Sequence, residues 1–156
     1  MDVYLEEVRP EDVGELLTLQ HAAAIQKSVK HSVPVPPEPT QTPDELRAEL
    51  ENCVAVKAMI GRRMVGSVRM RVEGETGYLN KLLVAPVFQG RGIGTMLMRE
   101  IEIRAPLSVR RFVVSISHKS VRTISLYKWL GYTEFKREET PDGAWIISME
   151  KQRRFS

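Results

Sequence analysis

The chain has 156 residues, enough for one domain with a real core, and its 42% hydrophobic and 28% charged fractions are those of an ordinary globular protein. A formal net charge of +3 suits a polyanionic small molecule and gives no evidence of a nucleic-acid surface. No apolar run reaches the length of a bilayer-spanning helix, and the acidic start Met1-Asp2-Val3-Tyr4-Leu5-Glu6-Glu7 is unlike a signal peptide. The lone cysteine, Cys53, excludes an intrachain disulfide. Together these features lead us to expect a cytoplasmic protein with no membrane partner.

Taken in order, residues 3–8 alternate weakly and read as a strand. Pro10, Glu11 and Asp12 then open a helix that carries Val13, Leu16, Leu17 and Ala24 on one face. Pro34, Pro36, Pro37 and Pro39 exclude helix and central strand from the next stretch. That stretch is either a surface connection or a loop over a substrate site, and the residues favour neither. Thr42, Pro43 and Glu45 form a capping box with proline at the first position, opening a helix that ends before Cys53. Residues 54–60, 64–72 and 78–84 read as three successive antiparallel strands, turned at Gly61-Arg62-Arg63 and Gly74-Glu75-Thr76-Gly77.

After Pro86 the chain runs Gln89-Gly90-Arg91-Gly92-Ile93-Gly94-Thr95 into a helix whose apolar side is Ile93, Met96, Leu97, Ile101 and Ala105, stopped by Pro106. Residues 111–117 are a strand parallel to the one before the helix, because a helical crossover joins them. A helix over 120–130 follows, with Val121, Ile124, Leu126 and Trp129 as apolar positions and Gly131 as its stop. A hairpin across Pro141-Asp142-Gly143 ends the chain. Trp129 and Trp145 read as core or sheet-face residues, with Trp145 also placed to border an acceptor site. His21 and His31 lack metal-ligand partners at useful spacing, so no metal is expected.

The glycine turn carries the chemistry. Gly90, Gly92 and Gly94 let backbone N–H groups point inward together where a Cβ would crowd a ligand, and the following helix adds its free N–H groups and positive dipole end. Such a turn holds phosphate. A nucleotide P-loop needs Lys-Ser/Thr after the last glycine, but Thr95-Met96 stands there. A dinucleotide fingerprint needs Gly or Ala at Thr95 and an acid after the next strand, where Ser117-His118-Lys119 stands. A plain tight turn accounts for one glycine only. A loop packed on pyrophosphate accounts for all three.

The run Gln89-Gly90-Arg91-Gly92-Ile93-Gly94 resembles the pyrophosphate loop of the Gcn5-related N-acetyltransferases, Gln/Arg-x-x-Gly-x-Gly/Ala, and its flanks Leu83-Val84-x-Pro86 and Thr95-Met96-Leu97-Met98 match too. Downstream, Leu126-Tyr127-Lys128-Trp129-Leu130-Gly131-Tyr132 is similar to the family's second signature, Leu-Tyr-x-x-x-Gly-Phe/Tyr. The resemblance implies a single N-acetyltransferase domain of mixed α/β (α+β) class, with a central, mostly antiparallel sheet of about seven strands and helices on both faces. It implies acetyl-CoA as co-substrate, an amine as acceptor, and a cleft where the strands ending near Val84 and Ser117 splay apart. In that cleft the backbone of Leu82, Leu83 and Val84 would pair with the pantetheine arm. Gln89 and the N–H groups of Gly90, Arg91, Gly92, Ile93, Gly94 and Thr95 would take the pyrophosphate, with the Arg91 guanidinium adding a charge-assisted contact.

By the same resemblance Tyr127 is the general acid for the departing thiolate. The base has no family match, because the strand before the glycine turn offers Asn80 and no acid. His118 is the titratable candidate, its ordinary pKa lying in the working range. Ser120 and Thr123 stand where relatives commonly have Asn and Ala, and the Ser120 hydroxyl either meets cofactor or caps its helix. Glu6, Glu7 and Asp12 are either solvated or an attraction for a cationic amine. A homodimer is common among relatives. A member of the family that holds an acyl-CoA as a sensor without turnover is the alternative reading, and a nicotinamide dehydrogenase is disfavoured by Thr95.

Overall fold

The structure is a computed structural model that describes residues 2–31 and 41–154, the side chains of 27–31 excepted. The proline-rich stretch therefore lies outside the described residues. Eleven elements follow one another: β1 (Val3–Glu7), α1 (Val13–His31), α2 (Pro43–Glu51), β2 (Val54–Ile60), β3 (Arg63–Glu73), β4 (Thr76–Val84), α3 (Ile93–Arg104), β5 (Arg111–Ser117), α4 (Val121–Trp129), β6 (Thr133–Glu139) and β7 (Trp145–Gln152). The strands form one seven-stranded sheet in the order β1-β2-β3-β4-β5-β7-β6. β4 and β5 run parallel, as the α3 crossover requires, whereas β1–β2, β5–β7 and β6–β7 are antiparallel. The mixed α/β class and the sheet expected from sequence are therefore present.

The chain packs as two compact units, residues 1–69 with 81–104, and residues 70–80 with 105–156. In the first unit Val13, Leu16 and Leu19 of α1 bury against Leu46, Ala55 and Met64, and Leu17 is only partly buried. The α1 helix is entered through a 3-10 turn at Pro10–Asp12, where the Arg9 N–H donates to Asp12 at 2.7 Å. The same carboxylate accepts from the buried Lys57 ammonium, also at 2.7 Å, with Glu6 at 3.7 Å. Asp12 and Glu6 thus neutralise a buried lysine, which a solvated reading does not describe. Thr42 and Glu45 exchange hydrogen bonds of 3.1 and 3.0 Å and start α2 as expected. On α2, Glu49 pairs with Arg69, whose side chain is buried in β3.

Gly66 on β3 marks a close approach. A Cβ there would lie 2.9 Å from the Leu83 carbonyl oxygen and 2.9 Å from Leu97 Cδ1, so glycine lets α3 and β4 pack this tightly. The buried side of α3 is Ile93, Leu97, Met98 and Ile101; Met98 is fully buried where the sequence suggested Met96.

In the second unit the β4–β5 ladder runs from Thr76–Arg111 to Leu79–Val114 and ends there. Arg111 donates to Glu150 of β7 at 2.7 Å, and Arg153 closes the segment before β5 by donating to the carbonyls of Ala105, Pro106 and Val109. Every residue of β6, the last strand of the sheet, is exposed. Trp129 is 68% and Val121 66% exposed, which corrects the expectation that they pack inward. The register of α4 is set by Tyr127, its buried residue, and a residue two positions on is turned about 200° away.

Candidate active site

The glycine turn belongs to the first unit. β4 does not run straight into it: Lys81 has φ of 55°, a left-handed conformation that a residue with a Cβ adopts only under constraint. After Val84 comes a 3-10 turn at Pro86–Phe88, begun by the Ala85 N–H donating to the Val65 carbonyl at 2.8 Å. The Gln89 amide then folds back. Its Nε2 donates to the Val84 carbonyl at 3.0 Å, and it exchanges bonds of 2.8 and 3.0 Å with the Gln26 amide on α1. Gln89 thus shapes the turn, and its bond occupies the Val84 carbonyl within the expected pantetheine stretch.

Gly90 and Gly92 have φ of 78° and 82°, the left-handed region in which only glycine is unstrained, and a Cβ on either would meet nothing within 4 Å. These glycines serve a backbone shape that faces open space. Gly94 is the second residue of α3. The first α3 bond runs from the Met96 N–H to the Gly92 carbonyl at 3.1 Å, so the N–H groups of Ile93, Gly94 and Thr95 stand at the open end of the helix. No acid occupies that first turn to offset the dipole. The Phe88 ring beside the loop carries two guanidinium groups, Arg91 at 5.5 Å and Arg63 at 5.2 Å from its centroid. An anion would find N–H donors, a helix end and fixed cations there.

Tyr127, His118 and Ser120 belong to the second unit. The spacing of Tyr127, Gly131 and Tyr132 is the end of α4: the Gly131 N–H donates to Lys128 and the Tyr132 N–H to Tyr127 itself at 2.9 Å, with Gly131 at φ of 104°. That closure stacks the Tyr127 and Tyr132 rings at 5.8 Å, tilted by 49°, and both are buried. Desolvation pushes the Tyr127 phenol up to about 12, so it stays protonated throughout the physiological pH range.

His118 follows β5, and its Nδ1 accepts from the Trp145 N–H at 3.0 Å. The same Nδ1 also lies 3.3 Å from the Trp145 carbonyl oxygen, and which of the two groups it bonds depends on the tautomer of the ring. Trp145 itself is 36% exposed. Ser120 holds the N-cap position of α4 without a side-chain capping bond, so its hydroxyl is not used in the way the helix start suggested. The Ser115 and Ser148 hydroxyls lie 3.0 Å apart across β5 and β7, a pair that sequence reasoning could not connect. Among the described residues no group of three His, Cys, Asp or Glu side chains could hold a metal, and no helix is long and apolar enough to cross a membrane.

Over residues 26–153 the chain matches the family described as the acetyltransferase (GNAT) domain, and it belongs to that family. None of the curated proteins matches it. Among solved structures, an N-acetyltransferase from Staphylococcus aureus Mu50 is similar with a TM-score of 0.81 at 16% identity, covering 97% of this chain and 99% of that one. The Salmonella typhimurium protein yncA, solved with its cofactor acetyl-CoA, gives 0.77 at 15% identity over 96% and 93% of the two chains. The PaiA N-acetyltransferase of Thermoplasma acidophilum, in complex with coenzyme A, gives 0.77 at 17% identity over 98% and 100%. At these identities the likeness is one of fold.

Proposed function

We propose that this chain is a cytoplasmic, single-domain N-acetyltransferase that moves the acetyl group of acetyl-CoA to a primary amine, on a small molecule or a peptide, by direct attack. The observation that carries the reading is the loop with left-handed Gly90 and Gly92 at the acid-free N-terminus of α3. Its N–H groups suit a pyrophosphate, and family members of this fold solved with acetyl-CoA or coenzyme A support that choice. In the proposal the backbone of Leu82 and Leu83 pairs with the pantetheine arm, as an added strand would. Ser120, with its hydroxyl free of capping duty, is assigned to the cofactor as well.

The chemistry has two proton problems. An alkylamine with a pKa of about 10 must lose a proton before its lone pair attacks the thioester carbonyl. The C–N bond then forms, the C–S bond breaks, and the thiolate must be stabilised. Tyr127 is assigned to the second task. Its phenol at about 12 lies above a thiol at about 8.5, so full proton transfer in the unliganded protein is uphill by roughly 5 kcal/mol. That is well below the barrier of about 17 kcal/mol for one turnover per second, so the gap does not forbid the step. Tyr127 donates a hydrogen bond to the developing thiolate first and the proton second.

The amine proton is assigned to His118, whose ring is held by its Nδ1 against the Trp145 backbone. A second reading, an acyl-CoA sensor without turnover, is favoured by one specific observation: β4 supplies Asn80 and no carboxylate near the turn. Calorimetry with acetyl-CoA followed by an amine-dependent thiol-release assay separates the readings. Binding with release supports transfer, binding without release across polyamines, amino acids, aminoglycosides and peptide N-termini supports the sensor, and absence of binding to folded protein sinks both.

A further inference from the structure

Between Glu75 and Glu100 the chain carries no carboxylate, and its only charged residues there are Lys81, Arg91 and Arg99. This cationic stretch includes the whole glycine turn. A second source of positive charge reaches the turn from elsewhere in the first unit: Arg63, at the start of β3, lies over the same Phe88 ring as Arg91. Two guanidinium groups drawn to one ring repel each other, and nothing in local sequence requires the second. Glu15 on α1 accepts from the N–H of Met64, the residue after Arg63, at 2.8 Å. Phe88 packs against the core of its unit, so the ring is a fixed platform that limits the freedom an exposed arginine would otherwise lose on binding an anion.

Resting on the acetyl-CoA reading, the geometry points to a division of labour. Coenzyme A carries a pyrophosphate and a separate phosphate on the ribose 3′ position. The loop N–H groups and Arg91 meet the pyrophosphate, and we propose that Arg63, held on Phe88, takes the 3′-phosphate and makes the protein select coenzyme A over its 3′-dephospho form.

The test measures dissociation constants for coenzyme A and 3′-dephospho-coenzyme A with the wild-type protein, Arg63→Ala, Arg63→Lys and the neighbouring control Arg62→Ala, each checked for an unchanged melting temperature. Wild type is expected to prefer coenzyme A by about tenfold. Arg63→Ala should weaken coenzyme A by that factor and leave the dephospho form alone. Arg63→Lys should keep part of the preference, and Arg62→Ala nearly all of it. Equal weakening of both ligands by Arg63→Ala, or no weakening of either, overturns the assignment while leaving acetyl-CoA binding intact. Failure of wild type to bind either ligand overturns the cofactor reading itself.

Discussion

Gly92 and Gly74 offer a matched pair of perturbations. Both have positive φ, 82° and 59°, and a Cβ built on either meets nothing within 4 Å. Alanine at each site therefore adds backbone strain and no steric clash, about 1–2 kcal/mol in the left-handed region. For a chain of this length that lowers the melting temperature by about 3–6 °C. The two sites differ only in what lies before them, because Gly74 turns the β3–β4 hairpin and Gly92 opens α3 beneath the glycine loop. If a pyrophosphate occupies the space in front of Gly92, its Cβ intrudes on the ligand. Gly92→Ala should then weaken acetyl-CoA by at least about tenfold, a further 1.4 kcal/mol, while Gly74→Ala leaves the affinity unchanged. Melts followed by calorimetry on both variants measure the two effects separately. Equal stability losses with equal affinities for the two variants would refute the placement of the pyrophosphate.

Gly66→Ala drives a methyl group against the Leu83 carbonyl and Leu97, so it should destabilise the protein by about 1–3 kcal/mol in urea unfolding, whereas Gly61→Ala meets no such contact. Glu49→Ala leaves the buried Arg69 guanidinium without its partner; because Glu49 is 39% exposed and water can replace part of it, the loss should be about 3 kcal/mol. Tyr127 has a folded pKa of about 12 against about 10 unfolded, so burial contributes stability that is fully present below pH 10 and is lost as pH rises toward 12. Wild type should lose about 2 kcal/mol more than Tyr127→Phe between pH 9 and 12 in denaturant titrations, and parallel curves would contradict the burial of an ionisable phenol. The same substitution should lower kcat by about 10²-fold or more with little change in the KM for acetyl-CoA; an intact rate would remove Tyr127 from the mechanism.

Local signals were readable because they act over one turn of chain. The Thr42 and Glu45 box formed as written, Gly131 ends α4 at the spacing that fixes Tyr127, and the crossover predicts the parallel β4–β5 pair. Long-range partners had no such signal. Gln26 and Gln89 are 63 residues apart, and Asp12 and Lys57 are 45 apart, so neither the brace on the glycine turn nor the buried ion pair shows in periodicity. Gly66 carried a hint, since a glycine inside a strand often marks a close approach. Lys81 carried none, because its left-handed backbone is imposed by the surroundings on a residue that does not favour it.

Trp129 shows the limit of composition most plainly. Its size suggested an inward position, yet the helix has one buried register and Tyr127 takes it. The exposed indole lies in the same unit as the fully exposed edge strand β6. His118 shows the same limit for chemistry: its type and place after β5 suggested a base, and the Trp145 backbone that holds its Nδ1 lies 27 positions away. Acid and base assignments need that second partner, and only the fold supplies it.

Transfer itself is tested most directly by acetyl-CoA labelled in the acetyl group, incubated with the protein and a panel of primary amines. The account calls for label on an amine product, with one free coenzyme A thiol released per acetyl moved and no transfer by Tyr127→Phe at a comparable rate. Tight binding of acetyl-CoA with no labelled amine from any class would contradict it and leave the sensor reading in its place.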